Sequence, residues 1–310
     1  MKYLRIISSV LNAILLLFFL GDLSWGIELS EKPPVASISI GGDFSSGNYN
    51  SDNTTRRTYI PLIINWYPEE RIDLSVELPF ISQTSSYTLT PTDVTADTTA
   101  KKSVARGPGS GALIHTALPT NTVTSGALQS NTSSTGTSTP YAASYNRSSS
   151  VSGLGDIILR AGYIIAFEDG FLPQLRTSIF IKTPTASVSD GLGTGKLDFG
   201  GGFDLSKWIG SVRFAGEALY NYQGKVDGWG LKNYINYSGT LGYQLTDEIQ
   251  PMLVINGATS PSIYDDDLLE ARARLFWSVT TATALDLYVS RGISKSSPDY
   301  AGGIAVIYSF

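Results

Sequence analysis

Apolar and polar residues alternate with a period of two over most of the chain after residue 35. In the stretch RIDLSVELPFI (71–81), every second residue from Ile72 to Phe80 is apolar, and most residues between them are polar or charged. Because neighbouring side chains of a β-strand point to opposite faces, this alternation predicts strands with one apolar face. About twelve segments show the pattern, which predicts an all-β protein. They are residues 35–43, 56–66, 71–81, 154–167, 173–183, 195–205, 211–222, 233–245, 249–257, 268–279, 284–291 and 300–310.

The segments and their connectors have the dimensions of a membrane-spanning sheet. Most segments approach the ~9–11 residues that a strand needs to cross a bilayer. Short and long connectors alternate, as they do in barrels with tight turns at one end and longer loops at the other. The short connectors are 67–70, 168–170, 206–209, 246–248 and 280–283. The longer ones are 44–55, 82–153, 184–194, 223–232, 258–267 and 292–299. We predict a transmembrane antiparallel up-and-down β-barrel of about 12 strands.

Aromatic residues of the apolar parity are predicted to form two rings, one at each end of the strands. Such rings lie at the level of the lipid headgroups and are the aromatic girdles of membrane barrels. The ring at the short turns contains Trp66, Phe167, Tyr243, Trp277, Tyr308 and Phe310. The ring at the longer loops contains Phe44, Phe80, Tyr220, Tyr222 and Tyr300.

Both ends of the chain carry features of an exported protein. Residues 1–26 have a positive start, an apolar run and small residues at a cleavage spacing, which predicts a signal peptide. Residues 27–310 are then the barrel, with residues 82–153 as a long Ser/Thr-rich external loop. The last strand ends Tyr308-Ser309-Phe310. This ending looks like the signal that outer-membrane proteins present to the barrel assembly machinery. We therefore expect a bacterial outer-membrane location, with outer-membrane lipid and lipopolysaccharide as further partners.

The composition argues against catalysis, cofactors and nucleic-acid binding. The chain has no Cys, one His and a net charge of −5, which excludes disulfides and thiolate metal sites and leaves no basic footprint for nucleic acid. The stretch GLGTGK (191–196) lacks the first Gly and the Ser or Thr of a phosphate-binding loop. The single His115 lies in the Ser/Thr-rich segment, where a hydrolase would need a serine held within reach. We expect no catalytic residue, no metal, no cofactor and no enzyme activity.

Charged residues on the polar parity are the candidate functional residues. An Arg or Lys that faces lipid at mid-membrane would cost about 2–4 kcal/mol, so these residues should face the lumen. The candidate pore-lining residues are Asp73, Glu77, Arg160, Arg176, Lys182, Asp198, Arg213, Glu217, Glu270, Arg272, Arg274 and Asp286, and the same parity includes Asp156 and Lys196. Eight strands enclose little beyond side chains, whereas ~16–18 leave an aqueous channel. About twelve strands therefore predict a narrow lumen, in which these charges either conduct solutes or fill and rigidify the barrel.

The middle of the chain resembles a known family. The stretch GLGDIILRAGYII (153–165) begins a strand with Gly-Leu-Gly-Asp, and LPQLRTSIFIKTPTA (172–186) ends one with a lysine–proline–threonine pattern. A Gly-rich loop and strand, GLGTGKLDFGGGFDLSKWIG (191–210), follows. These stretches, about a fifth of the chain, resemble the outer-membrane channel family known as "putative MetA-pathway of phenol degradation". The family has no well-defined catalytic residues, and the resemblance implies passage of small solutes across the outer membrane.

The expected function is an outer-membrane channel that passes small solutes by diffusion through a narrow charged lumen. The resemblance makes small aromatic or hydrophobic compounds the candidate solutes. The alternative is a non-conducting structural or adhesive barrel that binds a surface partner through its long external loop. Within that loop, the apolar patch GALIHTALP (111–119) either stays outside or folds into the lumen to narrow it.

Overall fold

The computed structural model describes residues 34–48, 54–85, 149–227, 229–263 and 265–310. The signal peptide, His115 and the patch 111–119 lie outside these residues. Thirteen antiparallel strands form the described part. They are β1 Ala36–Gly47, β2 Thr55–Glu69, β3 Ile72–Ser85, β4 Ser149–Leu154, β5 Ile158–Ala166, β6 Gln174–Lys182, β7 Asp198–Ile209, β8 Val212–Tyr222, β9 Tyr234–Tyr243, β10 Ile249–Ala258, β11 Leu268–Ser278, β12 Thr283–Gly292 and β13 Tyr300–Ser309.

The strands close into a barrel with twelve positions around its circumference. Apart from β4 and β5, each strand pairs with its neighbours in the chain, and β13 returns to pair with β1, from Ser37↔Ser309 to Ser46↔Tyr300. Strands β4 and β5 share one position, because both pair with β3. The closed twelve-position barrel confirms the predicted fold. Because β1 and β13 pair with each other, neither terminal strand has a free edge, and hydrocarbon offers no hydrogen-bond partner to a free strand.

The interruption between β4 and β5 lies opposite a proline. The prediction of one strand over 154–167 is wrong at residues 155–157, which are not part of the ladder. On the facing strand, Pro79 has no N–H to donate, and Gly155 N instead donates to Pro79 O at 2.8 Å. Three residues (155–157) stand opposite two (78–79), which is the geometry of a β-bulge. The bulge places Asp156 inside the barrel, where it is buried.

A second difference concerns the turn between β7 and β8. The sequence predicted a connector at 206–209, but β7 continues to Ile209 and the turn is Gly210–Ser211. Gly210 adopts a left-handed φ of 60°, a conformation that favours glycine. The strand is extended by contacts from the neighbouring turn, since Glu168 accepts a hydrogen bond from Trp208 N and pairs with Lys207, both at 3.0 Å.

The outer surface of the barrel is apolar and the inner surface is largely polar. Ile179, Leu253 and Ile304 face outwards and are 43–60% exposed. Aromatic residues gather at both ends of this surface, as predicted. Trp66, Trp277, Tyr308 and Phe310 are exposed at the end with the short turns, and Phe44, Phe80, Tyr220, Tyr222 and Tyr300 at the end with the longer loops. We call these the turn end and the loop end. The described residues include no helix that is long and apolar enough to cross a membrane.

Candidate pore: the inner wall of the barrel

The structure places all twelve candidate residues on the inner face of the strands. Nine of them are buried: Asp73, Glu77, Arg160, Arg176, Lys182, Asp198, Glu270, Arg272 and Asp286. The other three, Arg213, Glu217 and Arg274, are half-buried. That they border an open pore stays a prediction. Lys196, which was expected to face inwards, instead lies exposed in the loop before β7, because that strand begins only at Asp198.

The inner faces of β3, β5, β6 and β7 form what we call the charged wall. At its centre, Arg176 of β6 is held by two carboxylates. Its Nη2 lies 2.7 Å from Asp73 of β3, and its Nη1 lies 2.7 Å from Asp204 of β7. Asp204 was not among the predicted residues, although it stands on the same parity as Asp198.

A glycine allows Arg176 to reach Asp73. Strand β5 lies between their two strands, and Gly162 on β5 is the register partner of Asp73. A Cβ at Gly162 would overlap with the Arg176 guanidinium. The absence of a side chain therefore opens the path by which an arginine crosses a whole strand to its partner. Glycine within a strand often marks such a close approach.

A second ion pair lies above this one on the same wall. Arg160 of β5 pairs with Glu77 of β3 at 2.7 Å. The other carboxylate oxygen of Glu77 accepts a hydrogen bond from the hydroxyl of Tyr59 on β2. All three side chains are buried. A carboxylate that is removed from water needs such partners, because burying an isolated charge is costly.

The charged wall ends at Lys182, beside the bulge. The ammonium lies 2.5 Å from Asp198 and 3.2 Å from Asp156, and the lysine side chain is fully buried. Asp156 also accepts a hydrogen bond from Ala186 N at 2.9 Å, and Asp198 accepts one from Gly224 N at 2.8 Å. The bulge thus supplies a carboxylate that joins the wall to the β6–β7 loop.

The β6–β7 loop (183–197) folds inwards at the loop end. Its Ala186 and Leu192 are buried and pack in one cluster with Tyr59 of β2 and Ile81 of β3. Gln83 Nε2 donates to Gly191 O at 3.3 Å. The sequence showed only a Gly-rich connector here. The apolar residues within it were the signal that this loop packs against the inner wall.

The inner faces of β10 to β13 form what we call the mixed wall. Five buried apolar side chains make one cluster there: Met252, Val254, Phe276, Ala284 and Ile307. Ion pairs stand beside the cluster. Arg274 Nε donates to Asp286 Oδ1 at 2.9 Å, and Arg272 Nη2 donates to Glu270 at 2.5 Å. The alternation pattern gave the parity of these residues but not the apolar cluster, because its members are spread over four strands.

A tyrosine and an aspartate meet over a second glycine at the edge of the mixed wall. Tyr288 of β12 and Asp43 of β1 lie on either side of β13, and their side chains are hydrogen-bonded. A Cβ at Gly303 of β13 would overlap with both of them. Neither Asp43 nor Tyr288 was predicted as a site residue, although both have the inward parity.

An apolar belt outside, two aromatic girdles, a closed sheet and paired charges inside define an outer-membrane β-barrel. The chain belongs to the family described as "Putative MetA-pathway of phenol degradation", whose sequence profile matches residues 111–310. This match confirms the resemblance seen in the sequence.

The structure is similar to that of a solved outer-membrane channel. The structure of an outer membrane channel from Pseudomonas putida F1 has a TM-score of 0.59 at 12% identity, covering 93% of this chain and 100% of that one. The NanC porin has a TM-score of 0.49 at 10% identity, covering 88% of this chain and 100% of that one. At 12% identity, the likeness to the Pseudomonas putida F1 channel shows the fold alone. No curated protein matches the sequence.

Proposed function

We propose that the barrel is a channel through which small solutes diffuse across the outer membrane, along a narrow charged lumen. Small aromatic or hydrophobic compounds are the candidate solutes. One observation carries the proposal: the inward charges pair along the wall. Glu77 with Arg160 and Arg274 with Asp286 join adjacent strands, and Arg176 reaches only one strand further to Asp73. Charges that pair with near neighbours lie against the wall, whereas a barrel filled by its own side chains would pair them across the axis.

Two further facts support this function. The Pseudomonas putida F1 protein of similar fold is an outer membrane channel, and it is covered over its full length. The name of the family refers to phenol degradation, which favours aromatic solutes. The inner wall also carries an apolar cluster, against which we expect the ring of such a solute to pack.

Planar-bilayer recording of the purified, refolded protein tests the proposal. We expect discrete conductance steps that are small, because twelve strands enclose a narrow lumen. Liposomes that contain the protein should also swell in isotonic solutions of a small neutral solute faster than liposomes without it. The absence of channel events at every voltage, together with unchanged swelling, would reject the channel.

Deleting residues 86–148, between β3 and β4, separates the channel from the adhesive alternative. A channel should keep its conductance or increase it, since the strands of the barrel remain. An adhesive barrel should instead lose the binding of whole protein to cells or matrix, and should conduct neither before nor after the deletion.

We also propose that the chain is processed and assembled as its ends suggest. Residues 1–26 are removed on export, and the aromatic end of β13 is read by the barrel assembly machinery in a membrane of lipid and lipopolysaccharide. In the structure Tyr308 and Phe310 face outwards and meet edge to face, with ring centroids 5.0 Å apart. N-terminal sequencing of the outer-membrane protein should begin at residue 27. Deleting Phe310 should lower its amount in the outer membrane, and an unchanged amount would argue against this role.

A further inference from the structure

Arg272 lies at the centre of a small constellation on the mixed wall. Its guanidinium carbon lies 3.9 Å from the centroid of the Tyr288 ring, and its Nη2 is paired with Glu270. Glu270 is itself held by Asn256 and Ser290, each at 3.2 Å. The arginine is therefore fixed in one orientation by the ring on its face and the carboxylate at its edge.

Two N–H groups of this arginine have no hydrogen-bond partner among the residues that the structure describes. Nε and Nη1 of Arg272 are both buried and unpartnered, and the side chain is only 1% exposed. A buried donor without an acceptor destabilises the folded protein, because it has lost its hydrogen bonds to water. Such a group needs an explanation, such as a bound water, ion or ligand. Arg160 on the charged wall also has two unpartnered buried donors, and Arg272 differs from it in facing Val254 of the apolar cluster across the sheet. The donors of Arg272 indicate a place for an oxygen acceptor that the protein itself does not supply.

Apolar side chains stand beside Arg272 in the sheet. Val254 of β10 stands directly opposite Arg272 in the register of the two strands, on the same inward face. Side chains in such positions have Cβ atoms about 4.5–5.5 Å apart. Val254 belongs to the cluster that includes Met252, Phe276 and Ile307. A solute with its oxygen at Arg272 would therefore place its body against apolar side chains.

The charges nearby favour an uncharged solute. Glu270 already balances the charge of Arg272, and the Asp43 carboxylate is within electrostatic range of the same guanidinium. Asp286 lies in range of Asp43 as well. A second anion would meet these carboxylates in a medium of low dielectric constant, where like charges repel strongly. A neutral hydroxyl or carbonyl oxygen accepts the same hydrogen bonds without that repulsion.

We propose that Arg272, Tyr288 and the Val254–Phe276 surface form a binding subsite for uncharged small solutes that carry one acceptor oxygen on a compact apolar body, as phenol and benzyl alcohol do. This inference rests on the proposed channel function and deepens it. The arginine recognises the oxygen, and the apolar cluster holds the ring. The subsite is a resting point on the path and selects neutral amphiphilic solutes over anions and pure hydrocarbons.

Solute block of the ion current tests the subsite. Benzyl alcohol should reduce the current of the wild-type channel reversibly, and benzoate should do so at least several-fold less effectively at equal concentration. Arg272→Lys keeps the positive charge beside Glu270 but loses the planar pair of donors. We expect it to weaken the block by benzyl alcohol roughly tenfold, which is the loss of about one hydrogen bond. Arg291→Lys is the matched control, because Arg291 is exposed on the outer surface, and it should leave the block unchanged.

A second variant keeps Arg272 in place. Val254→Thr has nearly the same shape but puts a hydroxyl into the apolar surface, and it should weaken the block by benzyl alcohol several-fold. Equal block by benzoate and benzyl alcohol, or equal block of wild type and Arg272→Lys, would overturn the subsite while leaving the channel intact. If the barrel conducts no ions, calorimetric titration of benzyl alcohol into the detergent-solubilised protein and the same variants decides the matter. Absence of any binding heat in the wild type would then reject the subsite.

Discussion

On the charged wall, Arg176 and Lys182 are each held by two carboxylates, whereas on the mixed wall Arg272 and Arg274 stand beside a cluster of apolar side chains. The first arrangement ties four strands together with charge-assisted hydrogen bonds. The second places buried apolar side chains beside its ion pairs, where we propose that a solute packs. Unpartnered buried donors do not separate the two walls, because Arg160 on the charged wall has two, as Arg272 does on the mixed wall. We therefore expect the charged wall to contribute mainly to stability and the mixed wall to contact solutes.

The largest effect is expected on the charged wall. Arg176→Ala leaves Asp73 and Asp204 without their shared cation inside the barrel, and removing one partner of a buried ion pair costs about 3–5 kcal/mol. The free energy of unfolding, measured by urea titration in lipid vesicles with tryptophan fluorescence, should fall by that amount. Arg291→Ala on the outer surface is the control and should cost less than about 1 kcal/mol. Equal losses in the two variants would contradict a structural role for the charged wall.

Gly162→Ala tests whether the pairing of Arg176 with Asp73 depends on the missing side chain at Gly162 of β5. The added methyl group overlaps with the Arg176 guanidinium, so the side chain must leave Asp73 or the strands must shift. We expect a loss of about 1–3 kcal/mol in the same unfolding experiment. Gly239→Ala is the matched control, because a Cβ at Gly239 of β9 meets nothing within 4 Å. That variant should be neutral or slightly stabilising, and an equal loss there would show only that glycine is required in strands generally.

The smallest effect is expected when whole ion pairs are replaced by leucine. Arg274→Leu combined with Asp286→Leu puts apolar side chains beside Phe276 and Ile307, and should change the free energy of unfolding by less than about 1 kcal/mol. Arg160→Leu combined with Glu77→Leu should cost about 1–3 kcal/mol, because the buried hydroxyl of Tyr59 then loses its acceptor. The same denaturation assay compares the two doubles. If both cost the same, the division into two walls has no energetic meaning.

The strands and their faces were predictable because lipid imposes a strict rule. One apolar side chain in every two is a local pattern, and each of the twelve predicted segments overlaps a strand of the barrel. The errors have non-local causes. Pro79 interrupts the strand opposite its own, and Glu168 draws Lys207 and Trp208 into the ladder from the neighbouring turn. Neither cause is visible in a window of sequence around the affected residues.

The inward parity of the candidate residues was also predictable, but their partners were not. The pairing of Arg176 with Asp73 depends on the register of three strands and on the gap at Gly162. The sequence shows Gly162, but it does not show that the side chain of Arg176 passes over this glycine. Asp43, Tyr59 and Tyr288 were missed because a tyrosine or an isolated aspartate on a strand has no local mark of its role. Only the closed sheet brings them together.

The seam between β1 and β13 has a consequence for how the barrel forms. It joins residues from the two extremes of the polypeptide, so its loop-closure entropy is the largest of any strand pair in the molecule. Contacts of such long separation form slowly and late. Until these contacts form, β1 and β13 each have an unpaired edge, which can pair with a strand of another chain. Insertion should therefore be cooperative, with few stable halfway species, and a catalyst that shields the two edges would raise the yield of the native protein more than its final stability.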